Sequence, residues 1–432
     1  DFDTTDGLTL GDSPFQYPYL WVANSGGANV TRINTEESQT VESYAVGPDP
    51  SRTAVDLDGN VWVANQGFDR VNGQAQRGSV TKIIAEDCSG SACVAFTRPI
   101  GAAGDIVRGV AVDGRNQIWV GTYEGRTLYR LDSTSGQVLS SHPIGLRVHG
   151  MAIDQDGILW ITNLEIPDDG TSTLAAFNTN TRQLVADSPW QIPSCSQPYG
   201  IAIDELSNVW IGNWECGNVA RFRSSDRAFD AYAPEEPELE RIRGVALDGQ
   251  GSLWAVASDS NLLARFDISE GEWATFSTCI SPMGVGIASN ETVWVPCWNG
   301  EVWSFDLDGQ YLDTVLAGIN PESYSDMTGF QLRTFTARRG FWVDTFDCGR
   351  ADCSFDAIDW DAVLPDGTYV LGRVSVSSDG DVFSVPVEVT EVPADLSGLP
   401  VGRYLRVELT VGTQSVDSTP RVRAVSIDWQ YP

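Results

Sequence analysis

The sequence predicts an all-β chain, a seven-bladed β-propeller followed by a C-terminal β-sandwich. Three observations carry this. A tryptophan phrase recurs seven times, the recurrence stops near residue 337, and 42 glycines and 21 prolines accompany no sustained helical periodicity. The full phrase reads RTAVDLDGNVWVAN (52–65), RGVAVDGRNQIWVGT (108–122), HGMAIDQDGILWITN (149–163), YGIAIDELSNVWIGN (199–213), RGVALDGQGSLWAVA (243–257) and MGVGIASNETVWVPC (283–297). A half copy, YLWVAN (19–24), comes first. The tryptophans Trp21, Trp62, Trp119, Trp160, Trp210, Trp254 and Trp294 lie 40 to 57 residues apart. Periods of about 40–50 residues holding four short strands each are the mark of propeller blades.

Residues 1–14 read as an extended arm before the propeller, which spans 15–336. Within each copy, runs such as V-A-V-D alternate as a half-buried inner strand, and D-G turns lead into the Trp strand. Glycine stands ten residues before Trp at Gly109, Gly150, Gly200, Gly244 and Gly284, with Arg52 in that place in the second copy. Third strands follow, among them NVTRIN (29–34), NVARF (218–222) and LLARFD (262–267), then outer strands such as EWATFST (272–278). The half copy lacks an inner strand, and MTGFQLRTFT (327–336) is expected to supply it, since closure removes exposed edges. Residues 337–432 change to longer alternating runs: FWVDTF (341–346), TYVLGRVSVSS (368–378), DVFSVPVEVT (381–390), RYLRVELTVGT (403–413) and RVRAVSIDWQY (421–431). These predict the sandwich.

Charge narrows the partners. The chain of 432 residues carries 59 acidic and 27 basic side chains, a net −32, which speaks against a nucleic-acid ligand. Lys82 is the single lysine. Eight cysteines fall into close pairs, Cys88 with Cys93, Cys195 with Cys216, Cys279 with Cys297 and Cys348 with Cys353. Local even pairing favours disulfides and an oxidising compartment over metal binding, because no C-x-x-C pair exists and only two histidines are present. The start without Met suits a removed signal peptide, and no apolar run approaches the ~20 residues of a membrane span. The expected location is therefore secreted, extracellular or cell-surface, with the periplasm as a variant.

The copies GIAIDELSNVWIGN (200–213), AVDLDGNVWVAN (54–65) and GVAVDGRNQIWVGT (109–122) resemble the units of virginiamycin B lyase-like and NHL-type propellers. The resemblance covers about residues 15–336 and implies the propeller fold. For the lyases it also implies a histidine base and a glutamate-bound magnesium ion on one face. Many lyase units end W-F-T-E, whereas four units here end in Asn24, Asn65, Asn163 and Asn213, so the acidic ligands have no counterpart at those positions. IDWDAVLPDGTYV (358–370), GRYLRVELTV (402–411) and STPRVRAVSIDW (418–429) resemble the jelly-roll or discoidin-like modules appended to secreted propellers.

Residues at equivalent points of the inner strands must form a ring. Those preceding each glycine are Arg108, His149, Tyr199, Arg243 and Met283, with Ser51 and Thr328 expected to fill the remaining blades. Asn65, Asn163 and Asn213 are expected at the same face, and Trp214 lies just beyond one Trp strand. Two arginines, a histidine and a tyrosine suit a carboxylate or a sugar, because guanidinium offers a rigid fork of donors. The alternative is that they pair with Glu124, Glu165 and Glu215. His149 is a weak catalytic candidate, since a histidine base needs an orienting group. The ring of Asp56, Asp113, Asp154, Asp204 and Asp248 is expected to bond turn amides. No cofactor is assigned. Ca²⁺ or Mg²⁺ is the alternative, although DLDGN (56–60) lacks the further ligands of a calcium loop.

The sequence thus points to a non-catalytic binding or assembly protein holding a glycan or protein partner on a propeller face. Two alternatives stay open. One is a lyase or hydrolase of the virginiamycin B lyase type. The other is a structural subunit that self-assembles into an extracellular polymer through its N-terminal arm.

Overall fold

The computed structural model describes residues 8–9, 17–69, 74–86, 88–164, 172–193, 197–332, 338–413 and 418–431. Two compact units emerge: one spans Gln16–Thr336, and the other gathers Ala337–Pro432 with the N-terminal strand Leu8–Thr9.

In the larger unit, seven small antiparallel sheets follow one another along the described chain, each built around one of the seven tryptophans. The third is representative. Its strands Val107–Val112, Ile118–Thr122, Thr127–Leu131 and Val138–Pro143 pair in chain order from inner to outer edge. Small residues face the indoles across the first pair of strands: Ala54 opposite Trp62, Ala111 opposite Trp119, Ala152 opposite Trp160, Ala202 opposite Trp210, Ala246 opposite Trp254 and Gly286 opposite Trp294. A bulkier neighbour would compete with the indole for the same space.

Each indole is a wedge between neighbouring sheets. Trp119 packs with Val148, Met151 and Ile161 of the fourth sheet, and Trp210 with Ile242, Leu253 and Ala255 of the sixth. Trp294 of the seventh packs with Leu20, Val22 and Ile33 of the first. The seventh sheet therefore returns to the first, and the ring of contacts is closed. An aromatic side chain burying 150–250 Å² contributes about 4–6 kcal/mol of apolar transfer free energy at ~25 cal/mol per Å².

The aspartates bond turn amides as expected, and they do more. Asp113 Oδ1 accepts from the backbone N–H groups of Arg115 and Gln117, while Oδ2 accepts the Trp119 indole N–H at 2.9 Å. The same arrangement recurs at Asp56–Trp62, Asp154–Trp160, Asp204–Trp210 and Asp248–Trp254. In the seventh sheet Ala288 stands where the aspartate would be, and the Trp294 indole donates to the Thr292 hydroxyl instead at 2.7 Å.

The first sheet has three strands of its own, Tyr19–Asn24, Asn29–Asn34 and Gln39–Ala45. Its inner neighbour is the segment 321–327, not 327–336. Asn24 bridges Pro321, the Glu322 N–H donates to the Ala23 carbonyl, and the Trp21 N–H donates to the Met327 carbonyl. Pro321 faces Asn24 as Pro50 faces Asn65 and Pro198 faces Asn213. This segment carries no glycine landmark, so register with the repeats was not readable. Residues 333–336 of the expected strand lie outside the described residues.

In the smaller unit, two four-stranded antiparallel sheets enclose one core that includes Phe355, Ile358, Val374, Leu405, Val407 and Val422. Leu8–Thr9 pairs with Val422 and Arg421, so this part of the expected arm is an edge strand of the C-terminal unit. The remainder of 1–14 lies outside the described residues. Ser354–Val363 is a full strand, whereas DVFSVPVEVT contracts to Val387–Val389, because Pro386 cannot donate to a ladder. Disulfides join Cys88 to Cys93, Cys279 to Cys297 and Cys348 to Cys353. Cys216 is disulfide-bonded, and Cys195, its expected partner, lies outside the described residues. No helix among the described residues is long and apolar enough to cross a membrane.

Trp119→Phe strands the buried Asp113 carboxylate, whereas Trp294→Phe frees only a half-buried hydroxyl. Both indoles are fully buried, so apolar loss is comparable. Trp119→Phe is expected to destabilise the fold by roughly 1–2 kcal/mol more than Trp294→Phe in urea denaturation. Equal losses would remove the carboxylate from the account.

Candidate functional site

The ring positions sit on β-bulges. The ladder between first and second strands shifts register between Val107 and Gly109, Val148 and Gly150, Pro198 and Ile201, and Ile242 and Val245. Arg108, His149, Tyr199 and Arg243 fall inside these shifts. A bulge bends its strand and re-aims the extra side chain. The adjoining glycine answers a second demand: a Cβ on Gly200 would collide with the Arg243 carbonyl, and one on Gly284 with the Ser323 carbonyl. Neighbouring inner strands approach too closely there for any side chain.

Three ring members were missed from sequence: Arg52, Tyr324 and Glu322. Arg52 is almost fully buried and reaches from the second sheet to the fourth, where its Nη2 donates to the His149 carbonyl at 2.9 Å. The same Nη2 lies 3.3 Å from His149 Nδ1, and the guanidinium carbon sits 3.6 Å from the centre of the Tyr324 ring. The available signal was a charged residue in the glycine slot. Tyr324 belongs to no repeat copy, so nothing in the phrase marks it. It takes the place expected for Thr328, whose hydroxyl instead donates to the Ile287 carbonyl.

Tyr324 links the polar residues. Its hydroxyl accepts from Arg108 Nη2 at 2.7 Å and donates to Glu322 Oε1 at 3.0 Å, and Arg108 lies 3.8 Å from the same carboxylate. Burial raises the Tyr324 phenol above its ordinary range, so it stays neutral. The tyrosine rings close around the imidazole: Tyr199 meets His149 edge-on at 4.6 Å, and Tyr324 stacks on it at 6.2 Å. Tyr199 stacks on Trp214 at 5.0 Å, and the Arg243 guanidinium lies 3.9 Å from the Trp214 ring centre. Arg241 approaches the same ring at 4.9 Å, so Trp214 is flanked by its neighbours.

The expected carboxylate pairings are different in detail. Glu124 meets Arg147 at 3.5 Å, and Glu215 accepts from Gln197. Glu165 lies outside the described residues. Asn65, Asn163 and Asn213 are buried within the sheets, where their amides donate to Ser79 and Thr81, to Thr173, and to Asn218. Those side chains knit second strands to third strands and do not join the ring. Met283 is buried, and His142, the second histidine, lies on the outer strand Val138–Pro143.

Burial, reinforced by the charges of Arg108, Arg52 and Arg243, pushes His149 well below the ordinary histidine range. Arginine cannot accept a hydrogen bond, so Nδ1 facing Arg52 is the acceptor and Nε2 carries the proton. Arg52 is itself lowered to about 10, chiefly by burial, and stays cationic at neutral pH. Among the described residues no carboxylate touches the imidazole, so the site is a cluster of donors around a neutral histidine. Among the described residues, no group of three or more His, Cys, Asp or Glu side chains converges in metal-ligating geometry. Beyond the ring, a cavity of about 40 Å³ is lined by apolar inner-strand residues such as Ala54, Val110 and Ile153.

No protein-family model matches the chain, and no curated protein matches it. Solved structures are similar in fold. Virginiamycin B lyase from Staphylococcus aureus superposes with a TM-score of 0.51 at 14% identity, over 63% of this chain and 85% of that one. A functionally unknown protein from Desulfotomaculum acetoxidans gives 0.55 at 13% identity, over 72% and 98%. A putative 6-phosphogluconolactonase from Bacteroides fragilis gives 0.55 at 17% identity, over 75% and 98%. The fold is a β-propeller. Identities this low carry the scaffold and none of the relatives' chemistry.

Protonation of His149 supplies a test. Its folded pKa lies below the unfolded value of about 6.5, so the unfolded chain takes up the proton first as pH falls. His149 therefore withdraws stability below about pH 6.5. Asp154, raised to about 6 mainly by burial, acts in the opposite sense in both proteins compared. Relative to His149→Gln, the natural protein is expected to lose stability between pH 7 and 5, by at most about 1.4 kcal/mol per pH unit. Parallel melting curves for the two proteins across that range would contradict the buried neutral imidazole.

Proposed function

We propose that the chain is a seven-bladed β-propeller with a C-terminal β-sandwich, acting outside the cell or at its surface as a non-catalytic binding or assembly module. Its ring face receives a glycan or a protein partner. The observation that carries this reading is the convergence of Arg108, Tyr199 and Arg243 from three separate sheets around a histidine that no carboxylate among the described residues orients. A general base needs a matched pKa and an oriented proton path. His149 is buried under cationic neighbours that lower its proton affinity, which suits recognition better than proton abstraction. The partly exposed side chains of Arg108, Tyr199 and Arg243 offer donors and aromatic surface at the mouth, the residue types that dominate binding hot spots. The three disulfides among the described residues are compatible with an oxidising compartment.

Surface plasmon resonance against arrays of extracellular polysaccharides and surface proteins tests the proposal. Tyr199→Ala and Arg243→Ala are each expected to weaken binding of the recognised partner by about tenfold or more with circular dichroism unchanged. A partner held equally well by both variants would move the binding face elsewhere.

A further inference from the structure

We infer that the ring takes a carboxylate group of its ligand, held by Arg52 and His149 at the floor and by Arg108 and Arg243 at the mouth. This rests on the reading of the ring as a binding face. The first argument is charge. Among the described residues, three guanidiniums converge with one carboxylate, Glu322, which is engaged by Tyr324 and Arg108. Arg52 and Arg243 form no ion pair among the described residues, although acidic side chains outnumber basic ones 59 to 27 in this chain. An unpaired guanidinium at the centre of such an acidic protein is costly to bury, and an anion supplied from outside removes that cost.

The second argument is the polarity of the unpartnered atoms. Arg52 Nη1, Arg108 Nε and Arg243 Nε are buried without a hydrogen-bond partner, and His149 Nε2 has no well-formed one, its imidazole having only a backbone contact with Tyr199. Every one is a donor, because Nδ1 is the accepting nitrogen of the imidazole. Their complement is a group that only accepts. A carboxylate fits, since it is planar, acceptor-only and matched to the guanidinium fork. Exposure gives the order of approach: Arg52 and His149 are buried, whereas the Arg108 side chain is 18% exposed and Tyr199 and Arg243 are half-buried. Arg52 is the member with no counterpart in the other copies, where glycine stands, so the floor is particular to this propeller.

The probes are acetate, glucuronate, glucose, inorganic phosphate, and a tripeptide with a free or an amidated C-terminus. Each is titrated into the full chain by calorimetry, with His149 followed by ¹⁵N NMR. Expected is binding of the free carboxylates with a shift of the His149 Nε2 resonance, and at least tenfold weaker binding of glucose and the amidated peptide. Arg52→Met and Arg243→Gln are each expected to lose tenfold or more in carboxylate affinity. Arg243→Gln, at the mouth, keeps the test alive where Arg52→Met does not fold. Tighter glucuronate than tripeptide assigns an acidic glycan, and the reverse assigns a chain terminus. Phosphate bound in preference to every carboxylate, or glucose and glucuronate bound alike, overturns the inference. A macromolecular partner lost in Arg243→Ala while no carboxylate perturbs His149 overturns the carboxylate and leaves the binding face standing.

Discussion

The aspartate at the end of five inner strands ties together three levels of this structure with one side chain. One oxygen accepts the amides of the turn, which fixes where the inner strand stops and the next begins. The other holds the indole N–H, which fixes the rotation of the tryptophan that wedges the neighbouring sheet. Turn geometry, strand register and packing between sheets thus share one group. A buried carboxylate is unfavourable in isolation, and burial does raise Asp56, Asp113 and Asp154. Three N–H donors on Asp113 and on Asp154, and four on Asp56, offset that burial. The seventh sheet shows the minimal substitute, with a threonine hydroxyl satisfying the indole and no acid present.

Once the register is set, the ring follows from local backbone geometry. The bulge within the inner strand of the third to sixth sheets turns one side chain toward its counterparts, and the glycine next to it lets adjacent strands approach. Arg52 breaks the pattern. By occupying the glycine place it sends a guanidinium across to the fourth sheet and carries positive charge into a position the other sheets leave empty. Low proton affinity at His149 comes chiefly from burial, and the charges of Arg108, Arg52 and Arg243 reinforce it.

The acidity of the chain and the cationic ring belong to one electrostatic design. Repulsion among exposed carboxylates keeps the surface solvated, while the ring concentrates guanidiniums among aromatic rings. Arg243 on Trp214 and Arg52 on Tyr324 are held by ring faces in place of carboxylates. Charges held this way remain available to an incoming anion, which a salt-bridged arginine is not.

The repeated phrase alone determined the sheets, the buried tryptophans, the aspartate turns and four members of the ring, because these depend on spacing along one chain and recur at each copy. Arg108, His149, Tyr199 and Arg243 were legible for that reason. The tertiary structure decided the rest. Tyr324 and Glu322 enter from a segment that copies no phrase and is placed only by pairing with a strand three hundred residues away. Asn65, Asn163 and Asn213 share a strand end with the ring, yet their amides turn to third-strand hydroxyls, a choice that alternation along one strand does not encode. Leu8–Thr9 likewise left the expected free arm for the edge of the C-terminal unit. Periodicity fixes what a residue's neighbours in its own sheet will be. Which side chains meet across the closed ring depends on contacts between segments far apart in sequence, and a repeat carries no record of those.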